Sequence, residues 1–315
     1  MQSIAVLIST YNGQDFILDQ INSVLNQKFD TSSYHLDIFV RDDGSTDSTP
    51  NILKQLMKNH SCIHAEFPNV NLGFAKSFIE LLKSVEADYY FFADQDDVWL
   101  PNKVESFLRT MLAAERHSVI SGVFSDSWIA DQFARSTGKR VLGYRRNLIK
   151  DNILTFEQQI FETYVAGSSL FINRAARDKV DAFNYNSLPS GEAHDYFIGL
   201  VVSCFGELHY LDQPTMLYRQ TGNNLYGARD GNGSSIFTRL RALSSRIDDV
   251  KTDMRTASIV AGEDKEKKVL VDELRQVVNR EASLLARIRF FYKYAHLVSP
   301  KHPFFIPGLY SLLMR

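Results

Sequence analysis

Apolar and polar residues alternate in blocks along the first hundred positions. Four short apolar runs are typical of strands buried within a sheet. They are Ile4–Ile8, Leu36–Val40, Ile63–Glu66 and Tyr89–Ala93. Between these runs, apolar residues recur at helical spacing over Asp15–Asn26, from Thr49 onward and over Phe74–Val85. Because strands alternate with helices, the pattern predicts an α/β fold with a mostly parallel sheet flanked by helices.

The rest of the chain is less regular. Val165–Asn173 predicts a further strand, and Tyr196–Phe205 is apolar enough for a helix or a strand. Later spacing is helical, and the turn residues at Asp230–Gly233 are typical of a boundary. We therefore expect one domain followed by a helical C-terminal extension. The predicted units are a domain over residues 1–230, with halves at 1–100 and 101–230, and an extension over 235–315.

Polar side chains cluster where three of the predicted strands end. Ser9–Asn12 follows the first strand, Asp42–Ser45 follows the second, and Asp94–Asp97 follows the fourth. Parallel sheets bind ligands beyond the carboxyl ends of their strands. The three clusters therefore predict one ligand site at a single edge of the sheet.

The net charge of −2 conceals an uneven distribution. Residues 1–100 carry 6 Lys or Arg and 14 Asp or Glu, whereas residues 235–315 carry 15 and 9. The overall balance excludes a general nucleic-acid binder. Only two cysteines occur, Cys62 and Cys204, and their separation excludes a cysteine-based zinc motif. No run approaches the roughly 18 apolar residues of a membrane span, and no secretory leader is recognisable, so we expect a cytoplasmic location.

Three carboxylates crowd the end of the fourth strand. Asp94, Asp96 and Asp97 fall within four positions, and such packed charges repel unless a cation neutralises them. Oxygen ligands suit hard ions such as Mg²⁺ or Mn²⁺. The alternative is a solvated acidic turn, which the apolar neighbours at Val98–Leu100 disfavour. Asp42–Ser45 also allows two interpretations, because it could contact a nucleoside or form a turn that caps the next helix.

Together these motifs resemble family 2 glycosyltransferases of the GT-A, Rossmann-like fold. The matching segments, in order, are Ser9–Asn12, Asp42–Asp47, Asn71–Gly73, Asp94–Asp97, Gly167, His194-Asp195 and Tyr218–Gln220. The form Asp94–Trp99, with Lys103 shortly after, resembles the bacterial rhamnosyltransferase-like branch. That branch builds O-antigens, capsules and cell-wall polysaccharides.

The resemblance implies roles for residues at the matching positions. Those expected to bind a nucleotide-sugar donor are Thr10, Tyr11, Asn12, Asp42, Asp43, Gly73, Lys76, Asp94, Gln95, His194 and Arg219. Asp94 and Asp96, with Asp97 beside them, form a DxD-type set expected to hold Mn²⁺ or Mg²⁺ on the diphosphate. The cation would offset charge on the leaving group. A solvated helix lysine is the alternative for Lys76, and a structural histidine is the alternative for His194.

The resemblance also implies a general base opposite the leaving group. Asp195 matches the family's His-Asp-aromatic form and would take the proton of the acceptor hydroxyl, so that attack inverts the anomeric carbon. A helix N-cap is the alternative reading of Asp195, and Glu192 is the reserve base. Thr221 departs from the family, because related sequences often have His there. Either a metal ligand is missing or the loop acts through Arg219 and Gln220.

The expected activity is transfer of a sugar from a nucleotide-diphosphate sugar to a saccharide acceptor, which we expect to be lipid-linked. Branch resemblance favours dTDP-rhamnose, with UDP-glucose, UDP-galactose or a UDP-HexNAc as alternatives. A nucleotidyltransferase would need a basic glycine-rich N-terminal loop, and Ser9–Gly13 contains no Lys or Arg. A non-catalytic nucleotide-sugar-binding protein is the remaining alternative, which the Thr221 departure leaves open.

The end of the chain combines basic and aromatic residues. No acidic residue follows Glu281, whereas Arg287, Arg289 and Lys293 lie among aromatic positions. This composition suits an anionic membrane surface, here the cytoplasmic face of the inner membrane. The alternative is a helical pair that packs on the catalytic domain or on a second copy in a homodimer.

Overall fold

A mixed sheet forms the centre of the protein. The computed structural model describes residues 1–161, 163–189, 192–221, 252–279 and 281–297. Ten strands of these residues belong to one sheet. They are β1 (Gln2–Thr10), β2 (Tyr34–Asp42), β3 (Ile63–Glu66), β4 (Tyr89–Asp94), β5 (Val98–Trp99), β6 (Ser121–Ala130), β7 (Ser136–Arg140), β8 (Ile153–Leu154), β9 (Leu170–Asn173) and β10 (Glu207–Arg219). The strand order is β3-β2-β1-β4-β9-β6-β10-β5, with β7 beside β6 and β8 beside β10.

Helices cover both faces of this sheet. They are α1 (Ile17–Leu25), α2 (Thr49–Asn59), α3 (Phe74–Ser84), α4 (Lys103–Ala114), α5 (Phe156–Phe161), α6 (Arg174–Asp181), α7 (His194–Phe205), α8 (252–260), α9 (Lys265–Val278) and α10 (Leu284–Tyr294). The predicted α/β fold is confirmed. The four predicted strands and three predicted helices of the first half are all present.

The first half is parallel, as the alternating pattern predicts. β1 pairs in parallel with β2 and β4, with Thr10 opposite Asp42 and Ser9 opposite Asp94. The polar clusters that follow these strands therefore meet at one edge. Because β1 is buried on both faces, its side chains alternate between two cores. Ile4 and Ile8 contact the core beneath α1, α2 and α4, and Leu7 contacts the core on the opposite face.

The second half contains strands that the apolar pattern does not reveal. β6 and β10 run parallel, and β9 pairs antiparallel with β4 and β6. Polar positions interrupt β6, and their side chains are buried in pairs, for example Ser125 Oγ at 2.7 Å from Thr215 Oγ1. Pro214 shifts the register of β10. These interruptions conceal both strands from a reading based on apolar runs alone.

The structure refines two predictions made for the second half of the chain. The predicted strand Val165–Asn173 begins only at Leu170, because Gly167–Ser169 forms a 3₁₀ turn. Tyr196–Phe205 lies within helix α7 rather than a strand. Helix α7 is buried almost all round, which explains why its apolar run shows no helical period.

The C-terminal helices pack on the second core. Met254, Ala257 and Leu274 belong to the same buried cluster as α7. Phe290 and Tyr294 of α10 lie 6.0 and 5.3 Å from the ring of Phe161. The described part of the extension is helical, whereas the predicted boundary at residues 230–235 lies outside the described residues. No helix among the described residues has the length and apolarity to cross a bilayer.

Candidate functional site

Gln95 ties the ends of the two central strands together. Its Oε1 accepts hydrogen bonds from Thr10 Oγ1 at 2.6 Å and from the Tyr11 amide at 3.0 Å, and its Nε2 donates to the Tyr11 carbonyl at 3.3 Å. Gly13 packs directly against it, and a Cβ there would come within 2.3 Å of Gln95 Oε1 and displace that side chain. The acidic turn and the first polar cluster are therefore one unit, as the sheet topology predicts.

Asn12 joins the first polar cluster to the second. Its backbone amide donates to Ser45 Oγ at 2.8 Å, and its Oδ1 accepts from the Thr46 amide at 2.9 Å. The Ser45 hydroxyl in turn donates to Asp42. Asn12 has φ 49°, a left-handed conformation that Asn tolerates better than most residues. The loops after β1 and β2 are held in one shape by these contacts.

Asp43 is engaged within the protein. Its carboxylate accepts from the Leu72 amide at 2.9 Å and from the Gly73 amide at 2.7 Å, and Arg41 Nε lies 3.7 Å away. Gly73 has φ 78°, which an L side chain rarely adopts. Asp43 therefore shapes the 71–73 loop, whereas Lys76 is exposed on the first turn of α3. Nucleotide contacts of these residues stay predictions.

The acidic turn concentrates negative charge at the end of β4. Burial, followed by the charges of Asp96 and Asp195, raises the pKa of Asp94 to about 7. Burial also raises the pKa of Asp96, and burial together with Asp94 and Asp96 raises that of Asp97 well above its usual value. Asp97 is fully buried, and its Oδ2 has no hydrogen-bond partner. The sequence-based reading of a solvated acidic turn is wrong for Asp97.

This turn has the chemistry of a cation site that a ligand completes. Within the described part of the chain, no three His, Cys, Asp or Glu side chains are grouped so that they could hold a metal by themselves. Mg²⁺ usually takes only one or two carboxylates and fills its remaining positions with water and phosphate oxygens. Crowded carboxylates with raised pKa values and an unpartnered buried oxygen fit a divalent cation shared with a bound diphosphate.

Arg219 fastens the acidic turn to the end of β10. Its backbone amide donates to Asp97 Oδ1 at 3.2 Å, and its Nε donates to the Asp96 carbonyl at 2.8 Å. Its Nη2 lies 3.1 Å from Asp19 Oδ2. Arg219 is only 4% exposed, so its guanidinium bonds to groups of the protein itself. Direct contact of Arg219 with a diphosphate stays a prediction.

Asp195 faces this turn from the acceptor half. It is the second residue of α7, whose N-cap is Ala193, so the N-cap alternative for Asp195 does not hold. Its Oδ2 accepts from the Gly167 amide at 2.8 Å and its Oδ1 accepts from the Tyr196 amide at 2.8 Å. Gly167 belongs to a turn that packs against β4, and the charge of Asp195 contributes to the raised pKa of Asp94, so the two carboxylates lie near each other.

The two other candidate residues near the start of α7, His194 and Glu192, are buried. His194 is 2% exposed, stacks on Phe78 at 4.2 Å, and has both ring nitrogens without a hydrogen-bond partner. Burial lowers the pKa of its imidazole. Glu192 is 5% exposed and accepts a hydrogen bond from the Thr256 hydroxyl of α8. Both environments favour Asp195 over its neighbours as the accessible base.

Some contributors to this arrangement are not recognisable in the sequence. Gly13, Ser45 and Gly167 hold the candidate residues in place through close packing or hydrogen bonds. A serine or glycine in a loop carries no signal by itself, because its role depends on which distant residue reaches it. Thr221 is described, but the residues that follow it in the last motif lie outside the described residues.

A family model and several characterised proteins match this chain. The model described as glycosyl transferase family 2 matches residues 5–180. The dTDP-rhamnosyl transferase RfbG of Shigella flexneri is 30% identical over 235 residues, which cover 70% of this chain and 74% of RfbG. The enzyme WfaP of Escherichia coli, a UDP-Glc:alpha-D-GlcNAc-diphosphoundecaprenol beta-1,3-glucosyltransferase, is 28% identical over 40% of this chain and 52% of its own length.

Solved structures agree with the fold. TarS of S. aureus in complex with UDP superposes with a TM-score of 0.55 at 14% identity, covering 87% of this chain and 91% of the TarS chain. The mannosyltransferase PcManGT of Pyrobaculum calidifontis, in complex with GDP-Man and Mn²⁺, superposes with a TM-score of 0.50 at 16% identity, covering 98% and 84%. The matched family model spans more than half of the chain, and the chain belongs to glycosyl transferase family 2.

Proposed function

We propose that the protein is an inverting glycosyltransferase that moves a sugar, best matched by rhamnose from dTDP-rhamnose, to a lipid-linked saccharide in bacterial surface polysaccharide synthesis. The observation that carries this proposal is the proximity of two sets of carboxylates, the acidic turn at the end of β4 and Asp195, which is bound by a turn packed against β4. The similarity to RfbG supports the donor. The activity of WfaP supports a diphosphoundecaprenol-linked acceptor.

The donor would lie along the loops that follow β1, β2 and β4. Asn12 and Asp42 hold the nucleoside end of this surface in shape, and Asp43 sets the 71–73 loop beside it. Asp94 and Asp96, supported by Asp97, would hold Mn²⁺ or Mg²⁺. The bound cation would offset the charge that develops on the leaving diphosphate.

Asp195 would act as the general base. The amides of Gly167 and Tyr196 orient its carboxylate and leave each oxygen a lone pair for a proton. The carboxylate takes the proton of the acceptor hydroxyl as that oxygen bonds to the anomeric carbon and the bond to the diphosphate oxygen breaks. Because attack and departure occur on opposite faces, the configuration of the sugar is inverted.

Donor choice is tested by thermal shift with the purified protein. dTDP-rhamnose, UDP-glucose, UDP-galactose and UDP-GlcNAc are compared, each with Mn²⁺, with Mg²⁺ and with EDTA. We expect the largest rise in melting temperature with dTDP-rhamnose and a divalent cation, because a ligand that binds only the folded state stabilises it. A larger rise with a UDP-sugar would identify that UDP-sugar as the donor in place of dTDP-rhamnose. No rise with any of the four nucleotide sugars would contradict the proposal.

Catalysis is tested with the selected donor and a GlcNAc-diphospho-lipid acceptor. Asp195→Asn should lower the rate of transfer by about 10²–10⁴-fold, the usual contribution of a general base, while nucleotide affinity stays within about threefold. Glu80→Gln, an exposed carboxylate of α3, is the matched control and should retain wild-type transfer. Wild-type protein that binds donor but forms no product would favour a non-catalytic binding protein.

A further inference from the structure

Lys103 is a fully buried cation at the first position of α4. It is 0% exposed, and its ammonium lies 4.3 Å from the centre of the Trp99 ring and 5.5 Å from that of Phe107. Its Nζ donates to the Ser168 carbonyl at 2.6 Å and to Met216 Sδ at 3.4 Å. A buried ammonium is costly unless hydrogen bonds and opposite charges compensate it.

The acidic turn supplies those opposite charges. Burial lowers the pKa of Lys103 to about 7, and the carboxylates of Asp97 and then Asp94 act against this shift. Lys103 lies beside the turn, because its ammonium packs on the ring of Trp99, two residues after Asp97, and its side chain is fully buried.

The same ammonium reaches the turn that holds the candidate base. Ser168, whose carbonyl Lys103 binds, is the central residue of the Gly167–Ser169 turn. The amide of Gly167 donates to Asp195 Oδ2 at 2.8 Å. One buried side chain thus connects the acidic turn of the donor half to the amide that orients Asp195 in the acceptor half.

We propose that Lys103 is a positioning residue that fixes the acidic turn and Asp195 at the separation the transfer reaction needs. This inference rests on the proposed function, because it assigns Asp195 and the acidic turn to opposite sides of the reacting carbon. Lys103 touches no reacting atom. Its effect passes through the Ser168 carbonyl and the Gly167 amide to the carboxylate of Asp195.

The expected signature is a loss of rate without a matching loss of nucleotide affinity. A misplacement of about 1 Å at a reacting centre costs on the order of 10²-fold in rate. The nucleotide is proposed to bind the loops after β1 and β2, whereas the contacts described for the Lys103 side chain are with Ser168, Met216, Trp99 and Phe107. Donor hydrolysis needs only a mobile water, so it should be less sensitive than transfer to a defined acceptor hydroxyl.

The test compares Lys103→Met with wild type and with Met216→Leu. The first variant removes the ammonium and keeps an unbranched side chain, whereas the second removes only the sulfur contact of Nζ and retains its bond to Ser168. We measure kcat for transfer to the GlcNAc-diphospho-lipid, kcat for donor hydrolysis, dTDP affinity by calorimetry and the melting temperature.

For Lys103→Met we expect transfer to fall about 10–100-fold, dTDP affinity to stay within about threefold and the ratio of hydrolysis to transfer to rise. Met216→Leu should match wild type in all four measurements. Unchanged transfer in Lys103→Met would overturn the proposal, as would parallel losses of transfer and dTDP affinity, which indicate a merely structural role.

A second variant covers the case in which Lys103→Met does not fold. Lys103→Gln keeps a polar donor that is too short to span the same distance, so the same separation of rate from affinity is expected, and its absence overturns the proposal. Failure of wild-type protein to transfer any sugar defeats the proposed function instead. Wild-type transfer with normal Lys103 variants defeats the positioning role alone.

Discussion

At the scale of single residues, burial together with hydrogen bonding decides which polar side chains remain available to a ligand. Asp43 and Arg219 are buried and bonded to backbone groups, whereas Asp94, Asp96 and Asp195 are partly exposed. The sequence predicts that these residue types converge at one edge, because the strand pattern is clear. It cannot predict which carboxylate is engaged, since that depends on backbone amides brought from distant positions.

Asp96 provides a direct test of the cation site. Asp96→Ala should abolish measurable transfer while the melting temperature of the metal-free protein stays the same or rises, because one of several crowded negative charges is removed. Transfer assays with Mn²⁺ and thermal melts in EDTA measure the two effects. The exposed Asp15→Asn is the control, and it should change neither. Transfer by Asp96→Ala at the wild-type rate would contradict the metal assignment.

The buried His194 imidazole contributes a loss of stability in mild acid. Its pKa is lowered in the folded protein and returns to about 6.5 on unfolding. As the pH falls below about 6.5, the unfolded state binds the His194 proton first, so the contribution of His194 to the free energy of unfolding falls, whereas the raised pKa values of Asp94, Asp96 and Asp97 act in the opposite direction. Urea unfolding at pH 5, 6 and 7 measures this dependence.

Replacing the buried imidazole by an aromatic ring should weaken that dependence. His194→Phe keeps a ring in the cluster with Phe78 and removes the titrating group, so the change in its free energy of unfolding from pH 7 to pH 5 should be more favourable than that of wild type. The exposed His117→Gln should keep the wild-type dependence. Equal slopes for wild type and His194→Phe would show that His194 is not the cause.

At the scale of elements, the apolar pattern predicts best where a strand is continuously apolar. β1 and β4 meet that condition and are predicted almost to their ends. β6 and β10 do not, because buried serines, Asp126 and Pro214 occupy positions that a reading by apolarity assigns to loops. Their polar groups are satisfied by partners such as Thr215, which only the tertiary structure reveals.

Helix α10 is the element that we predict to bind an anionic membrane surface. Leu285 is 60% exposed and Tyr292 is 79% exposed, and they lie two turns apart on the same face, while Phe290 packs on the core. Lys293 is close by and suits an anionic headgroup. We expect the protein to float with vesicles containing phosphatidylglycerol, and Leu285→Asp combined with Tyr292→Ser to reduce the bound fraction severalfold.

The control for this helix is an equally exposed apolar residue elsewhere. Val119 is 79% exposed in the loop before β6, and Val119→Asp should leave flotation unchanged. Equal flotation of wild type and the α10 double variant would contradict the membrane prediction. If the wild-type protein does not bind vesicles and the double variant differs from it in oligomeric state, the result would instead favour the homodimer.

At the scale of the whole molecule, the sheet separates two cores, and the C-terminal helices complete one of them. Met254, Ala257 and Leu274 contact the same cluster as α7. The sequence predicts a helical extension from spacing and charge. It does not predict where that extension docks, because amphipathic helices carry no information about which of several apolar faces they cover.

Deletion of residues 252–315 tests the predicted domain division. Because α8, α9 and α10 bury apolar side chains against the second core, we expect the shortened chain to lose at least about 3 kcal/mol in free energy of unfolding or to aggregate. Urea unfolding and size-exclusion chromatography measure this. Deletion of 298–315 retains every described helix and is the comparison. Wild-type stability of the shorter chain would support a domain that ends near residue 230.

The position of Gln95 has a consequence for redesign of donor choice. It lies between two acidic residues in the sequence, yet its side-chain amide hydrogen-bonds to the end of β1 at Thr10 and Tyr11. A library that randomises the whole acidic turn would also remove the hydrogen bonds that join it to β1, so a loss of activity in its members would not separate donor choice from local structure. Directed evolution of donor choice should therefore keep Gln95 fixed, so that the end of β1 stays bonded to the acidic turn.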